Sequence, residues 1–182
     1  VFEMAGIREI VVISGKGGTG KTSIVGSFAE LAKDAVFCDC DVDAANLGLL
    51  LKPEIKETVE FIVSKKAHID LDLCTGCGEC EEVCRFNAIF PAKGSPDKLE
   101  VDQLSCEGCN LCSRICPVEA IDVVDALSGH WYLSETEYGP LLHARLEPGE
   151  ENSGRLVAAV REKAREVALQ QKKNLVITDG PP

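Results

Sequence analysis

The sequence lacks a long apolar run, a basic cluster and a leader-like start. No apolar stretch approaches the length needed to cross a membrane. The opening residues, VFEMAGIREI, have neither the basic region nor the apolar core of a secretory signal peptide. Lysine and arginine total 19 against 30 acidic residues, and no cluster of them indicates nucleic-acid binding. We therefore expect a cytoplasmic protein that binds neither membranes nor nucleic acid.

What is present is a globular composition with many cysteines. The 182 residues are 45% hydrophobic and 27% charged, which allows one large domain or two small ones. Ten cysteines in a protein without a secretion signal indicate metal or redox chemistry rather than disulfides.

Apolar segments with strand and helix periodicity alternate outside the cysteine-rich region. Short β-branched runs predict buried strands, and longer stripes at helical spacing predict amphipathic helices. The predicted strands are Ile10–Ile13, Ala35–Cys38, Trp131–Leu133, Leu141–Leu146 and Leu175–Thr178; the predicted helices are Thr22–Lys33, Leu47–Leu51, Thr58–Val63 and Leu156–Gln171. This alternation predicts an α/β fold with a parallel sheet.

The segment SGKGGTGKT follows the first predicted strand and precedes a helix. Gly15–Thr22 fits the phosphate-loop pattern G-x-x-x-x-G-K-[ST] in the context that this motif requires. Its glycines let backbone N–H groups surround phosphate oxygens, Lys21 would reach the β- and γ-phosphates, and the Thr22 hydroxyl would bind Mg²⁺. The alternative is a chance glycine-rich turn. The predicted ATP-binding residues are Gly15, Lys16, Gly17, Gly18, Thr19, Gly20, Lys21 and Thr22.

The extra lysine of this loop, Lys16, is accounted for by a family resemblance. GKGGTGKT resembles the deviant Walker A loop of the MinD/ParA/Mrp ATPases, a group that includes the nitrogenase iron protein. The resemblance implies a P-loop NTPase fold, ATP hydrolysis and a nucleotide-dependent homodimer in which Lys16 reaches the partner's nucleotide as a catalytic residue. The alternative is a solvated loop lysine.

Two further segments resemble carboxylate motifs of the same family. VFCDCDVDAANLGLL resembles its second carboxylate motif, which implies that Asp39 helps to hold the water shell of Mg²⁺ and that Asp41 orients the attacking water. NLVITDGPP resembles a Walker B strand, which implies that Asp179 lies near Mg²⁺. For Asp39 and Asp41 the alternative is a helix cap or turn residue. Cys38 and Cys40 show no ligand spacing, and we interpret them as structural.

The other eight cysteines form an internal duplication. CTGCGECEEVC and CEGCNLCSRICP share the spacing C-x2-C-x2-C-x3-C and lie 32 positions apart, from Cys74 to Cys106 and from Cys84 to Cys116. The duplication resembles the two-cluster bacterial ferredoxins, in which the fourth cysteine of each copy binds the other cluster. The implied ligands are Cys74, Cys77, Cys80 and Cys116 for cluster 1, and Cys84, Cys106, Cys109 and Cys112 for cluster 2. Zinc and disulfides are the alternatives, although a third x2 cysteine exceeds a zinc-ribbon pattern.

These motifs predict a ferredoxin domain inserted into an ATPase. The predicted domains are a first ATPase part at 1–66, an inserted α+β 2×4Fe-4S ferredoxin domain at 67–125, and a second ATPase part at 126–182 that stops after the Walker B strand. Ferredoxin domains of this type pair their first and last strands, here His68–Asp70 and Ile121–Val124, so both ends leave the module together. A Walker B strand is normally followed by further strands and helices of the ATPase, so we expect the chain to be incomplete at its C-terminus.

The predicted function is ATP binding and hydrolysis coupled to electron transfer through two 4Fe-4S clusters. The resemblance leaves two alternatives, iron–sulfur cluster assembly or carriage of the Mrp type, and a MinD-like positioning ATPase with structural clusters. We expect ATP, Mg²⁺ and the two clusters as cofactors. The expected partners are a second copy of the chain and an unidentified redox or cluster-acceptor protein.

Overall fold

The computed structural model describes residues 2–4, 6–32, 34–42, 45–150 and 153–180. It divides into two compact units. The first unit consists of Val1–Phe61, Gly129–Glu147 and Glu151–Pro182, and the second consists of Ile62–Ser128 with Pro148–Glu150. The second unit thus begins at residue 62 and reaches 128, where the sequence predicted 67 and 125, and it also takes in a three-residue segment further along the chain.

The described residues contain nine strands and five helices. The strands are β1 (Phe2–Met4), β2 (Ile7–Val12), β3 (Ala35–Asp39), β4 (Glu54–Ile69), β5 (Ile89–Ala92), β6 (Ser95–Val101), β7 (Ile121–Thr136), β8 (Gly139–Leu146) and β9 (Leu175–Asp179). The helices are α1 (Lys21–Leu31), α2 (Leu47–Leu51), α3 (Glu79–Glu82), α4 (Leu111–Ile115) and α5 (Ser153–Gln170). None of the described helices is long and apolar enough to span a membrane.

The main sheet has seven strands in the order β1-β2-β9-β3-β8-β7-β4. Its centre is parallel, because β9 pairs in parallel with both β2 and β3, and β3 pairs in parallel with β8. Its flanks are antiparallel at β1/β2 and at β7/β8. The prediction of an α/β fold with parallel pairing is confirmed for the centre. Only two residues separate β7 from β8, and this connection is too short for a parallel crossover. The two strands therefore pair antiparallel.

Two sequence predictions about strands and helices are wrong. The segment predicted as a helix at Thr58–Val63 lies inside β4, where β-branched and aromatic residues favour an extended chain. The segment Ile10–Ile13 was predicted as a buried strand, but β2 ends at Val12 and the side chains of Ile10 and Ile13 are 37% and 71% exposed. The predicted helix end at Lys33 lies outside the described residues.

The core of the first unit lies on both faces of the sheet. Helix α5 turns an apolar stripe toward one face, since residues three or four positions apart share a side of a helix. Its buried residues are Leu156, Val160, Ala164, Val167 and Ala168, which pack with Val36, Leu142 and Val176 of the sheet. Helices α1 and α2 cover the other face, where Val25, Ala29, Leu47 and Leu51 pack with Phe37, Leu141 and Ile177.

The second unit repeats one backbone arrangement with approximate two-fold symmetry. The N–H of Asp70 donates to the carbonyl of Ala120 at 2.8 Å, and the N–H of Asp102 donates to that of Ala88 at 2.7 Å. Asp70 and Asp102 are 32 positions apart, as are Ala88 and Ala120, so each copy starts beside the end of the other. The strands that hold the predicted first and last segments, β4 and β7, are neighbours in the sheet.

Candidate functional site

The glycine-rich loop lies between the end of β2 and the start of α1, as the motif requires. The first residue of α1, Lys21, is buried at 8% exposure, whereas Lys16 is exposed. Gly20, directly before the helix, has a φ of 89°, a backbone conformation that glycine adopts without steric cost. The Ser14 hydroxyl donates to the carbonyl of Lys16 at 2.8 Å. The loop thus precedes a helix N-terminus, a position that favours anions.

Two of the predicted carboxylates end neighbouring parallel strands. Asp39 on β3 and Asp179 on β9 are direct register partners. In α/β sheets the crevice beyond the carboxyl ends of the strands is where ligands bind. Thr22 and the charge of Lys21 both act on the carboxylate of Asp179 and hold its pKa down. The fold therefore brings Lys21, Thr22, Asp39 and Asp179 together.

Burial dominates the electrostatics of these carboxylates. It raises the pKa of Asp39 to about 6, and the charges of Asp179 and Asp41 add to the rise. Burial also raises the pKa of Asp179, partly offset by the hydrogen bond from Thr22 and the charge of Lys21. One oxygen of Asp179, Oδ1, is buried without a hydrogen-bond partner among the described residues. Two adjacent buried carboxylates with an unsatisfied oxygen fit a Mg²⁺ ion, which takes oxygen ligands.

Asp39 also has a structural role. Its Oδ1 accepts the N–H of Asp41 at 3.1 Å, and its Oδ2 accepts the N–H of Leu47, the first residue of α2, at 3.0 Å. The helix-cap alternative raised from the sequence therefore describes real contacts of this side chain. Two N–H donors also hold the carboxylate in a fixed orientation. Cys38 and Cys40 lie on either side of it, fully buried, with their sulfurs 3.5 Å apart.

The eight repeat cysteines line two separate cavities in the second unit. Cavity 1 is lined by Cys74, Cys77, Cys80 and Cys116. Cavity 2 is lined by Cys84, Cys106, Cys109 and Cys112. Each cavity thus receives three cysteines from one copy of the repeat and the fourth from the other copy. These sets coincide with the two ligand sets implied by the ferredoxin resemblance.

Close backbone packing fixes the cysteine loops. At Gly76 a Cβ atom would lie 1.9 Å from the carbonyl oxygen of Asp97, and at Gly108 it would lie 2.0 Å from that of Lys65. Both contacts are far shorter than any real Cβ makes, so a side chain is excluded at both positions. Asp97 and Lys65 are again 32 positions apart, which shows that the duplication extends to the residues that support each loop.

Backbone amides point at three cysteine sulfurs. Ala88 donates its N–H to Cys84 Sγ and Ala120 donates to Cys116 Sγ, each at 3.3 Å. Ala67 donates to Cys106 Sγ at 3.4 Å. Such N–H···S bonds stabilise negative charge on sulfur and are one of the features that tune a cluster's potential.

Burial disfavours the ionised form of two of the cysteine thiols. It raises the pKa of Cys80 to about 11 and raises that of Cys112 as well. Metal coordination deprotonates a thiol outright, so binding of a cluster here would release protons.

The arrangement suits a large metal group better than a single ion. All ten cysteines are free thiols in the structure. Among the described residues, no three His, Cys, Asp or Glu side chains are grouped closely enough to hold one metal ion. A zinc ion needs its sulfur ligands at about 2.3 Å from one centre. Four cysteines spread around a cavity instead fit a cube-shaped cluster that is bound at its corners.

Comparison with known proteins agrees with this geometry. Residues 61–123 match the 4Fe-4S dicluster domain. Iron–sulfur clusters are thus the cofactors that this part of the chain is built to hold, and electron transfer is the activity that such domains suggest.

Two curated relatives extend the comparison. An uncharacterized protein of Methanocaldococcus jannaschii is 38% identical over 179 residues, which is 97% of this chain and 60% of that protein. The chain therefore spans about three fifths of the length of this relative. Ferredoxin-1 of Rhodobacter capsulatus is 65% identical over 26 residues, or 14% of this chain and 40% of the ferredoxin.

Sequence reasoning missed the amide donors around the dicluster domain's cysteines. A signal was present for two of them, because the pair Ala88–Ile89 repeats as Ala120–Ile121 at the 32-residue offset. No local pattern distinguishes Ala67, whose amide reaches Cys106 only through the packing of β4. A second missed group lies in the first unit, where the buried carboxylate of Glu9 accepts hydrogen bonds from Arg161 and Arg165 of α5.

Proposed function

We propose that the protein is an ATP-binding and ATP-hydrolysing iron–sulfur protein in which nucleotide state is coupled to electron transfer. The observation that carries the electron-transfer part is the pair of cavities, each lined by four cysteines. Two 4Fe-4S clusters would supply one-electron chemistry there. The chain's own residues would hold them through the eight sulfurs, with the amides of Ala67, Ala88 and Ala120 orienting three of these ligands.

The nucleotide part of the proposal rests on the loop between β2 and α1. Backbone N–H groups of Gly15–Thr22 would hold the phosphates, Lys21 would neutralise their charge, and Thr22, Asp39 and Asp179 would bind Mg²⁺ directly or through its waters. Asp41 would orient the attacking water. Lys16 is exposed, as its proposed contact with the nucleotide of a second copy in a nucleotide-dependent homodimer requires.

In this proposal the ATPase parts are residues 1–66 and 126–182 around a ferredoxin domain at 67–125. Cluster assembly or carriage is a second candidate, favoured by one observation. Cys77 and Cys109 are exposed, so each cavity has one ligand from which an acceptor thiol could take over a cluster. Carriage predicts transfer of iron and sulfide to an apo-acceptor on mixing, whereas electron transfer predicts that the clusters stay bound through many redox cycles.

The coupling is tested by a redox titration with and without MgATP. Coupling free energies are typically about 1–3 kcal/mol, and about 59 mV corresponds to a tenfold change for a one-electron couple. We therefore expect a non-hydrolysable ATP analogue with Mg²⁺ to shift at least one midpoint by tens of millivolts, and reduction to change ATP affinity by the same factor. Identical midpoints in a sample that binds nucleotide would contradict the coupling and leave the clusters as an independent electron path.

A further inference from the structure

One pair of equivalent lysines breaks the symmetry of the second unit. Lys66 and Lys98 are 32 positions apart and occupy corresponding places in the two copies of the repeat. Lys98 donates its ammonium hydrogen bond to the carbonyl of Leu71. Lys66 instead donates to the carbonyl of Cys106 at 2.9 Å, directly at a cysteine of cavity 2. The two copies therefore place a cation differently relative to their cavities.

Lys66 also has a buried counter-charge. Its Nζ lies 2.9 Å from Oε1 of Glu150, and the two side chains are only 12% and 5% exposed. Glu150 belongs to the segment Pro148–Glu150, which joins the second unit although its neighbours in the chain belong to the first. In that segment Gly149 packs against Leu104, two residues before Cys106. Within the described part of the chain, Lys98 has no carboxylate against it.

A buried charge pair beside a redox group acts on its potential. Reduction adds one negative charge to the cluster, so a nearby cation favours the reduced state and an anion opposes it. Salt screens buried charges weakly, and removing one member of a buried pair leaves the other uncompensated. Lys66 and Glu150 should thus have opposite effects on cavity 2 and nearly cancel when both are present.

We propose that Glu150 neutralises the charge of Lys66 beside cavity 2, so that the reduction potential of the cluster there depends on the balance of this ion pair, and that the pairing makes the two clusters inequivalent. This inference rests on the proposed iron–sulfur function. Neither side chain is a ligand, and Lys66 acts as a positioning residue through the carbonyl of Cys106. The counter-charge, Glu150, lies outside the repeat. The cluster of cavity 2 is therefore next to a neutral ion pair, whereas that of cavity 1 is not.

The test is an anaerobic redox titration of the intact, cluster-loaded protein, followed by electron paramagnetic resonance. Glu150→Gln keeps the shape and hydrogen bond but removes the anion, so we expect one midpoint to rise by about 59 mV, a tenfold change in the one-electron equilibrium constant. Lys66→Met should lower the same midpoint. The double variant should return close to the wild-type value, because both charges are then absent.

Matched variants separate this effect from general damage. Lys65→Met removes the neighbouring lysine, whose partner is the exposed Asp125 at 2.7 Å, and should leave both midpoints unchanged. Lys98→Met should leave the cavity 2 midpoint unchanged. Lys66→Arg keeps the charge and should keep the wild-type midpoint.

Iron and sulfide contents are measured first for every protein. A wild-type protein without clusters would contradict the proposed function itself. Fully loaded single variants with unchanged midpoints, or with midpoints that move in the same direction, would overturn the ion-pair proposal while leaving that function intact. If Lys66→Met binds its clusters poorly, the midpoints of Glu150→Gln and of the double variant test the proposal by the same criteria.

Discussion

Replacing Gly76 by alanine should destroy one cluster site, while the same change two residues away should not. Gly76 has a φ of 69° and Gly78 a φ of 84°, so alanine meets similar backbone strain at both positions. That strain costs about 1 kcal/mol. The surroundings differ, because a Cβ on Gly76 would lie 1.9 Å from the carbonyl of Asp97, whereas nothing lies within 4 Å of a Cβ on Gly78.

The contact at Gly76 cannot be relieved by a side-chain rotation, since its partner is backbone. Overpacking of this kind typically adds about 1–3 kcal/mol, so Gly76→Ala should cost about 2–4 kcal/mol in all. Relief of the clash would move the loop that carries Cys74 and Cys77 away from cavity 1.

The assay is iron and sulfide content after anaerobic reconstitution, combined with thermal unfolding. The wild type should contain about eight iron and eight sulfide in two cubes. Gly78→Ala should keep this content with a slightly lower melting temperature, and Gly76→Ala should fall to about four iron. Equal iron content and equal melting temperatures in the two variants would refute the argument from close packing. Two zinc ions without sulfide in the wild type would refute the cluster assignment itself.

Three further predictions concern individual residues. Cys116→Ser should damage the cluster of cavity 1 and spare that of cavity 2, although Cys116 follows the cavity 2 cysteines in the chain. If electron paramagnetic resonance shows that the cavity 2 cluster is lost instead, the crossed ligand sets are contradicted. Lys21→Ala should abolish ATP binding, and Lys16→Ala should keep binding but lower hydrolysis and nucleotide-dependent dimerisation; a wild-type hydrolysis rate for Lys16→Ala would exclude its action on a second copy. Because burial raises the pKa of Asp39 from 3.8 to about 6, protonated Asp39 favours the folded state, and up to about 3 kcal/mol is lost as pH rises through that range. Chemical denaturation between pH 4.5 and 7.5 without Mg²⁺ should show about 2 kcal/mol of this loss in the wild type, and an unchanged slope in Asp39→Asn would rule out Asp39 as its source.

Helix and strand predictions succeeded where one short segment determines the outcome. The glycine-rich loop, α2, α5 and β9 lie where the sequence predicted them, because their glycine spacing and apolar patterns are local features. Thr58–Val63 failed for the opposite reason. Its apolar residues fit a helix or a strand, and pairing with β7, which follows much later in the chain, selects the strand. The exposure of Ile10 and Ile13 likewise depends on what packs against β2 and not on their own hydrophobicity.

The amino-acid sequence by itself determined the two cysteine sets and the position of the glycine-rich loop. Both depend on spacing, since a 32-residue repeat and a strand–loop–helix segment impose their geometry over a short length of chain. Tertiary structure alone decided which other groups surround these residues. The amide of Ala67 beside Cys106 and the pairing of Lys66 with Glu150 both join distant parts of the chain. Such contacts follow from burial and packing of the whole unit, and no local pattern encodes them.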